Sequence, residues 1–219
     1  MVLREKVYQV IKQRILQGQY RPGEPLNEKR IIEELHVSRT PFREAINALN
    51  EENLVQIFAN RGIFVREVTV KDLMDSFEIR YLLEPYVSRL ACRYAPREVL
   101  RQMESNIKKA LTGTYQEMMR EDDAFHRTVV KYTDNRQLTK IMTSLYEQNQ
   151  MQVAMYDQAD VERVPDSRRQ AVTDSLREHL EIINYMLNNN EEGAVDATQM
   201  HLLKAQKRAT ALPGLEWKG

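Results

Sequence analysis

Residues 37–45 read Val-Ser-Arg-Thr-Pro-Phe-Arg-Glu-Ala, and this stretch decides the fold of the first third of the chain. Ser38 and Thr40 are residue types whose side chains cap the free amides of a helix start. Pro41 suits the first helical position, where no amide donor is needed. The sequence therefore predicts a helix that begins between Ser38 and Pro41.

The predicted helix has two faces of different chemistry. Its apolar face consists of Phe42, Ala45, Ile46 and Leu49, and its polar face of Arg39, Arg43 and Asn47. Because helical spacing places each set on one side, we expect the apolar face in a core and the polar face available for contact. The planar fork of arginine matches O6 and N7 of guanine in the major groove and also binds phosphate. Taken alone, this polar face also fits a solvated charged surface.

The flanking segments favour a DNA-binding fold. Apolar residues at helical spacing predict a long helix near the N-terminus and a short helix over residues 31–35, which a two-residue turn joins to the next one. Two β-rich runs, 54–57 and 63–65, flank the turn-forming residues 58–62 and predict a hairpin. Three helices followed by a hairpin constitute a winged helix-turn-helix.

The order of these motifs resembles the GntR family of bacterial transcription regulators over residues 5–67. The matching residues are Pro22-Gly23, Leu26, Glu28, residues 37–45, Leu54-Val55, Gly62 and Val65. The resemblance implies a DNA-binding domain, which we delimit as residues 1–67. The residues that it implies as base and phosphate contacts are Ser38, Arg39, Thr40 and Arg43, with Arg61 and Gly62 at a wing tip in the minor groove.

Two positions depart from the family pattern. Lys29 stands where many relatives carry arginine, and Asn53 replaces the usual glycine before Leu54. A lysine is a point charge without the two-pronged geometry of arginine. We therefore expect Lys29 to contact a phosphate of the DNA, which carries no sequence information.

The charge balance requires a shaped DNA-binding surface. The chain of 219 residues has 32 basic and 32 acidic side chains, and residues 1–67 carry 11 basic and 9 acidic ones. Because so small an excess attracts DNA only weakly, we expect a homodimer that binds a double-stranded operator with an inverted repeat. The sequence has no apolar stretch long enough for a membrane span and no signal-peptide core, so we expect a cytoplasmic bacterial protein without a membrane partner.

From Val68 onward the pattern changes to long helical segments, which we assign to a second, all-α domain over residues 68–219. The six helices predicted there lie at about 70–95, 96–111, 115–133, 135–158, 166–189 and 191–211. The charged residues 157–166 are predicted to form a loop. Cys92, the single cysteine, lies among apolar residues and is expected to be a buried side chain without a further role. The predicted fold class is mostly α, with an N-terminal winged helix-turn-helix and a C-terminal six-helix bundle.

Three of the four histidines fall in the middle of predicted helices of this second domain. They are His126, His179 and His201, and Asp122 lies one helical turn before His126. An aspartate and a histidine at this spacing can bind one metal ion from the same helical face. A lone helical histidine is more often a hydrogen-bonded, partly buried side chain, so the spacing alone leaves both interpretations open. His36 has no such partners and is expected at the surface or in a cap.

The helical domain resembles the FCD effector domain found behind GntR-type winged helices. Relatives carry Asp-x-x-x-His on one helix and single histidines on two later helices, and these residues converge on a metal. The resemblance implies Asp122, His126, His179 and His201 as ligands of a divalent transition metal, for which zinc or nickel suits three imidazoles. Asp123 is an alternative to Asp122, but its spacing fits the pattern less well.

Arg80 and Glu84 form a further pair at four-residue spacing. Such a pair can be a surface ion pair of little consequence. Relatives carry a similar Arg-x-x-Leu-Glu element whose arginine faces a central cavity, so the resemblance implies that Arg80 pairs with the carboxylate of an effector bound at the metal. The methionines and tyrosines of residues 142–156 are expected to pack in a core or a dimer contact instead.

These expectations combine into a dimeric transcriptional repressor, not an enzyme, whose operator affinity responds to a small carboxylate metabolite at a metal site. A regulator that senses the metal ion itself would use the same residues. A zinc-dependent hydrolase is a third interpretation, because three histidines and an aspartate can leave a coordination position open for water. Against it, the sequence has no His-Glu-x-x-His motif, and the winged domain would be left without a role.

Overall fold

The computed structural model describes residues 3–157 and 164–210, except for the side chains of residues 151–157. The chain separates into two compact units. Unit 1 comprises residues 1–69 and 147–161, and unit 2 comprises residues 70–146 and 162–219. Within the described part of the chain, no helix is both long enough and apolar enough to cross a lipid bilayer.

Unit 1 contains the winged helix-turn-helix. Its elements are α1 (Leu3–Leu16), α2 (Glu28–Leu35), α3 (Arg39–Glu51), β1 (Val55–Phe58) and β2 (Gly62–Val65). The four residues predicted for the apolar face of the third helix are all buried, and they share a core with Val7, Ile11 and Ile15 of α1. The fold class predicted for this part of the chain is thereby confirmed.

Capping residues set the turn between α2 and α3. Asn27 caps α2, since its side-chain oxygen accepts a hydrogen bond from the amide nitrogen three residues later at 3.0 Å. His36 ends α2 in the left-handed conformation, with φ of 52°, which agrees with its expected place in a cap. Val37 then enters the core, and α3 begins at Arg39, within the predicted range. The Ser38 hydroxyl, however, makes no capping hydrogen bond, so the helix start does not use the side chain that suggested it.

The wing is an antiparallel hairpin of two short strands. Its register pairs Val55 with Val65 and Phe58 with Gly62. Both ends of the predicted turn therefore belong to strands, and residues 59–61 make the connection. Gly62 has φ of 103°, a conformation that only glycine adopts without strain, and this requirement fixes the glycine at the wing tip.

Polar contacts tie α1 to the end of α3. The Tyr8 hydroxyl donates to the Glu52 carboxylate at 2.7 Å, and Lys12 Nζ donates to the same carboxylate at 2.8 Å. Burial raises the pKa of Tyr8 to about 12, so the phenol keeps the proton that it donates. Since Glu52 directly follows α3, these bonds hold the helix from its C-terminal end and leave its polar face uncovered.

Unit 2 is built mainly from long helices. They are α4 (Val70–Tyr94), α5 (Arg97–Ala110), α6 (Tyr115–Lys131), α7 (Arg136–Asp157), α8 (Asp166–Leu187) and α9 (Glu191–Thr210). All six predicted helices are present, with ends within two residues of the expected ones, and the residues of α7 from Glu147 onward belong to unit 1. The predicted loop at 157–166 lies mostly outside the described residues.

The core of unit 2 joins the helices that carry the histidines. Helix α8 packs against α5, α6 and α9, and α4 packs along α9. Met118, Leu176 and Ile183 are fully buried in this core. Cys92 is buried there as predicted, with Sγ 4.0 Å from the Met186 carbonyl oxygen. Each such aliphatic side chain contributes roughly 1.5–3 kcal/mol on burial, so the core holds α6, α8 and α9 in fixed relation.

Helix α4 carries two ion pairs of equal spacing in opposite environments. The Lys71 and Asp75 side chains are 75% and 52% exposed, whereas those of Arg80 and Glu84 are 3% and 4% exposed. Arg80 Nε donates to Glu84 Oε1 at 2.5 Å, and the guanidinium lies over the Phe77 ring. Burial by itself would lower the pKa of Arg80, but the charge and hydrogen bond of Glu84, together with the charges of Tyr146 and Asp122, raise it. The second pair is therefore internal.

Matched substitutions on α4 separate the two pairs. Glu84→Gln leaves a buried guanidinium without a counter-charge, so we expect it to lower the free energy of unfolding by about 3–5 kcal/mol. Asp75→Asn makes the same charge change on the same helix and should cost less than about 0.5 kcal/mol. Urea denaturation followed by circular dichroism measures both losses. Equal losses would contradict the internal position of Arg80 and Glu84.

Candidate functional site

The polar face of α3 presents the side chains that were expected to meet DNA. Arg39, Arg43 and Asn47 are all exposed, on the side opposite the buried apolar residues of the helix. Arg39 Nε lies 3.8 Å from the Glu28 carboxylate, but the Arg39 side chain is 81% exposed. Because so exposed a pair contributes little free energy, the guanidinium can leave Glu28 for another acceptor.

The other residues implied as DNA contacts also lie at the surface of unit 1. Ser38 and Thr40 are exposed at the N-terminus of α3, Lys29 is exposed on α2, and Arg61 and Gly62 are exposed at the wing. The amides of a helix N-terminus favour anions such as phosphate. Exposure is the condition that contact with DNA requires, and each of these residues meets it.

Three helices of unit 2 bring the predicted histidines together. His126 lies on α6, His179 on α8 and His201 on α9, and their candidate ligand nitrogens lie within 4.8 Å of one another. His179 Nε2 and His201 Nε2 are 3.4 Å apart. The Phe125 ring stacks on the His179 ring, with centroids 3.9 Å apart, and fixes the plane of this imidazole. The cluster is therefore a product of helix packing.

Burial keeps the three imidazoles neutral. Desolvation lowers the pKa of His179 to about 3 and lowers those of His126 and His201 well below the usual value. Neighbouring positive charge, including that of Arg80, lowers the latter two further. A neutral imidazole has one nitrogen lone pair, which is the form that binds a metal. The cluster thus offers three neutral nitrogen ligands at neutral pH.

Asp122 lies beside this cluster. Its Oδ1 accepts a hydrogen bond from the Ser175 hydroxyl at 2.6 Å and lies 3.6 Å from His179 Nδ1. Desolvation raises the pKa of Asp122, and the bond from Ser175 opposes this shift. Among the described residues, the set of mutually close ligand atoms consists of the three imidazoles without an Asp122 oxygen. Asp123, the alternative, is also not among these atoms, and it accepts from Arg127 Nε at 2.7 Å.

His179 Nδ1 is a buried nitrogen that finds no hydrogen-bond partner among the described side chains and backbone. An unpaired buried polar atom is costly, and in a native structure it commonly marks an ion or a functional site. Asp122 Oδ1 lies 3.6 Å from this nitrogen, slightly beyond hydrogen-bonding distance. This nitrogen is the least satisfied polar atom of the cluster.

Three side chains that shape the cluster were not indicated by the sequence. They are Glu178, whose Oε2 lies 2.8 Å from His201 Nδ1, Arg208, which donates to both Glu178 oxygens, and Tyr146, whose ring centroid lies 5.0 Å from that of His126. Tyr146 had been assigned to packing only. Glu178 and His201 lie on different helices, so no spacing rule in the sequence connects them.

A cavity of about 10 Å³, room for one water molecule, adjoins the imidazoles. Its polar lining consists of Glu84, Ser88, His126, Tyr146, Thr198 and His201. Glu84 Oε2 lies 4.0 Å from His126 Nδ1, while Glu84 Oε1 accepts from Arg80. Arg80, which was expected to face the cavity, is not among its lining residues, and its guanidinium is instead paired with Glu84.

Comparison with known proteins assigns both parts of the chain. Residues 3–65 match the family described as bacterial regulatory proteins, gntR family, and residues 75–204 match the FCD domain. The Nta operon transcriptional regulator of Aminobacter aminovorans is 37% identical over 131 residues, which are 58% of this chain and 62% of that protein, slightly under two thirds. The HTH-type transcriptional repressor RspR of Escherichia coli strain K12 is 25% identical over 205 residues, which are 90% of this chain and 85% of the repressor.

A solved structure shows the same fold. The crystal structure of a transcriptional regulator GntR from Rhodococcus sp. RHA1 has a TM-score of 0.77 and 22% identity, and covers 95% of this chain and 98% of its own. The two matched families account for most of the chain, and the relatives are named as transcriptional regulators. The chain therefore belongs to the gntR family of bacterial transcriptional regulators, with an FCD domain behind its winged helix-turn-helix.

Proposed function

We propose that this regulator is a cytoplasmic homodimeric repressor whose operator affinity is controlled by a small carboxylate metabolite bound at a divalent metal. Residues 1–67 bind DNA in this proposal, and residues 68–219 bind the metal and the metabolite. The observation that carries the metal is the pair of Nε2 atoms 3.4 Å apart within a buried cluster of three neutral imidazoles.

The spacing of the nitrogens suits a shared ion. Zinc–nitrogen bonds of about 2.0–2.1 Å at a tetrahedral angle place two ligating nitrogens about 3.3–3.4 Å apart. His179 Nε2 and His201 Nε2 have this separation, and the ligand atom of His126 lies within 4.8 Å of both. Nickel also accepts imidazoles, and availability decides between the two metals. When bound, the ion would supply a positive charge and open positions that a carboxylate can fill.

We assign Asp122 as the fourth ligand through Oδ2. Its Oδ1 is held by Ser175 and faces His179, so Oδ2 is the oxygen left for the ion. Asp122 lies one helical turn before His126, which places both side chains on one side of α6. The charge of the ion would also favour the ionised carboxylate, which burial alone disfavours.

The metabolite is assigned to the cavity beside the imidazoles. Arg80 is the cation that we assign to the metabolite carboxylate, and its partner Glu84 lines the cavity. A carboxylate bound there would repel Glu84 and attract Arg80, so the buried pair would rearrange. The cavity of about 10 Å³ must widen on binding. Rearrangement of these side chains is the proposed origin of the response to the metabolite.

The DNA contacts divide by chemistry. Arg39 and Arg43 lie on the exposed face of α3 and are assigned to base edges in the major groove. Ser38 and Thr40, at the N-terminus of the same helix, are assigned to a phosphate. Lys29 is assigned to a phosphate as well, and the residues assigned to the minor groove are Arg61 and Gly62 of the wing.

The homodimer is supported by an apolar stripe on α4. Ile79, Leu82 and Tyr86 share one face of this helix and are 40%, 78% and 53% exposed. Contiguous exposed apolar side chains of this size commonly mark a protein contact. A second copy of the chain is the partner that an inverted repeat requires, because two winged domains related by a two-fold axis then meet two half-sites.

The base contacts predict a sequence-dependent loss. Arg39→Ala or Arg43→Ala should weaken operator binding by about 1–3 kcal/mol and leave weak non-specific binding intact. Lys29→Ala should instead weaken all sequences alike and reduce the salt dependence. Arg101→Ala makes the same charge change at an exposed position of α5, so it serves as the control and should leave operator affinity unchanged. Fluorescence anisotropy with operator and scrambled duplexes measures these effects, and wild-type affinity in Arg39→Ala would reject the assignment.

If the apolar stripe of α4 forms the dimer contact, a substitution there should weaken both dimerisation and operator binding. Leu82→Glu places a charge in the apolar stripe of α4, so the variant should sediment as a monomer and protect operator DNA poorly. Leu3→Glu, at another exposed leucine, is the control and should remain dimeric. Sedimentation velocity and DNA footprinting measure both properties. A single unsymmetrical half-site protected by saturating wild-type protein would contradict the inverted repeat.

The metal site predicts loss of one ion per chain. His179→Ala removes a ligand and should reduce zinc affinity by more than the 10–100-fold typical of outer-shell changes. His36→Asn alters a histidine outside the cluster while tolerating its left-handed backbone, and should keep the metal. Elemental analysis after dialysis decides this, and a full complement in His179→Ala would remove the role. Operator binding with metal, with and without a panel of organic acids, then distinguishes metabolite control from metal sensing.

A further inference from the structure

Glu178 is a buried carboxylate of α8 with three nitrogen partners from α9. Arg208 donates to Oε1 at 2.9 Å and to Oε2 at 2.8 Å, as a two-pronged pair. His201 Nδ1 lies 2.8 Å from Oε2, and Lys204 Nζ lies 3.7 Å from Oε1. A buried carboxylate is costly unless opposite charge and hydrogen bonds match it. Both are present here, so Glu178 is held firmly in one position beside His201.

The partners of Glu178 determine where the proton shared with His201 lies. A guanidinium has donors only, so both Glu178 oxygens accept hydrogen bonds in the pair with Arg208. The contact with His201 is therefore a bond from Nδ1–H to Oε2. Because a neutral imidazole carries one proton, His201 Nε2 is left with the lone pair.

This lone pair is repelled by, or forces a repulsive contact on, a neighbouring group in either tautomer of His179. If the proton of His179 lies on Nδ1, two Nε2 lone pairs face each other across 3.4 Å. If it lies on Nε2, the Nδ1 lone pair faces the Asp122 carboxylate at 3.6 Å. A cation bound by both Nε2 atoms removes either conflict, because His179 Nδ1–H then faces Asp122. The unpaired Nδ1 of His179 agrees with this account.

We propose that Glu178, locked by Arg208, is a positioning residue that holds His201 in the Nδ1–H tautomer and so presents Nε2 to the metal. This inference rests on the proposed metal site and deepens it. Carboxylates that fix the orientation and tautomer of a metal-bound histidine typically contribute 10–100-fold to metal affinity. Nothing in the spacing of the ligands requires this residue; its assignment comes from the contacts between α8 and α9.

A purely structural role makes a different prediction. Glu178 and Arg208 also tie α8 to α9, so loss of stability on substitution would follow from either role. Only the positioning role requires a particular tautomer of His201. The tautomer and the metal affinity are therefore the two properties to measure.

Glu178→Gln is the informative substitution. Arg208 still needs an acceptor, so the amide turns its oxygen toward the guanidinium and its NH₂ toward His201 Nδ1. This arrangement favours the opposite tautomer, with the proton on Nε2. Glu181→Gln makes the same charge change at an exposed position of the same helix and serves as the matched control.

Nitrogen-15 chemical shifts of the histidine rings report the tautomer directly, in protein stripped of metal by a chelator. The chain has 4 histidines, so the His201 signals can be assigned with single substitutions. We expect Nδ1–H in the wild type and in Glu181→Gln, and Nε2–H in Glu178→Gln. Zinc affinity, measured in competition with a chromogenic chelator, should fall by about 10–100-fold in Glu178→Gln only.

The measurement on the metal-free wild-type protein can overturn the inference by itself, whether or not Glu178→Gln folds. A proton on Nε2 of His201 in the wild type would contradict the proposed role of Glu178. Retention of Nδ1–H, or of wild-type zinc affinity, in folded Glu178→Gln would do so as well. Failure of the proposed metal site gives a different result. The wild type would then bind neither zinc nor nickel, while the tautomer shifts would still decide whether Glu178 sets the proton position of His201.

Discussion

Burial of three imidazoles where α6, α8 and α9 meet is the constraint on which the structure of unit 2 depends. Desolvation makes a charged imidazole costly there, and the lowered pKa values of His126, His179 and His201 express this cost. Neutral rings still have polar nitrogens that need partners. The Glu178 carboxylate meets this need at His201 Nδ1, at 2.8 Å, whereas the Asp122 carboxylate lies 3.6 Å from His179 Nδ1, slightly beyond hydrogen-bonding distance.

Each buried carboxylate in turn requires its own hydrogen-bond partner, so the burial of the imidazoles also determines which residues surround Asp122 and Glu178. Ser175 donates to Asp122, and Arg208 donates to Glu178. The result is a layered arrangement in which α8 supplies one imidazole and the carboxylate for another. Buried polar networks specify structure when every member is satisfied. Here one member, His179 Nδ1, remains unpaired among the described residues, and the proposed ion binds the other nitrogen of the same ring.

Much of the fold was predictable because its determinants are local. The start of α3, the buried stripe that includes Phe42, and the ends of α4 to α9 follow from capping residues and helical periodicity within a few positions. Gly62 and His36 adopt left-handed backbone where glycine and a cap were expected. Local rules failed in details that depend on neighbours: Ser38 has a capping side chain, yet its hydroxyl makes no capping bond.

The candidate site was predictable only in part, because its remaining members meet through tertiary packing. The family resemblance supplied Asp122 and the three histidines, and the structure brings the histidines together. It did not supply Glu178, which contacts His201 although the two residues are 23 positions apart, or Tyr146, which was expected only to pack in a core or a dimer contact. Arg80 was expected at the cavity, but the sequence does not show that Glu84 lines the cavity while Arg80 is held by Glu84 and does not line it.

The even charge balance of the chain limits how tightly each winged domain of the proposed regulator can bind DNA. With 32 basic and 32 acidic side chains, the chain has little diffuse attraction to DNA, and Arg39 must also leave Glu28. Each winged domain would therefore bind a half-site weakly, and operator affinity would come from engaging two at once. Such a system responds to small changes, because about 1.4 kcal/mol lost by misplacing one domain is a tenfold loss of occupancy below saturation. Breaking a buried ion pair costs free energy of this order or larger, so the rearrangement proposed for Arg80 and Glu84 would be large enough to drive the proposed switch.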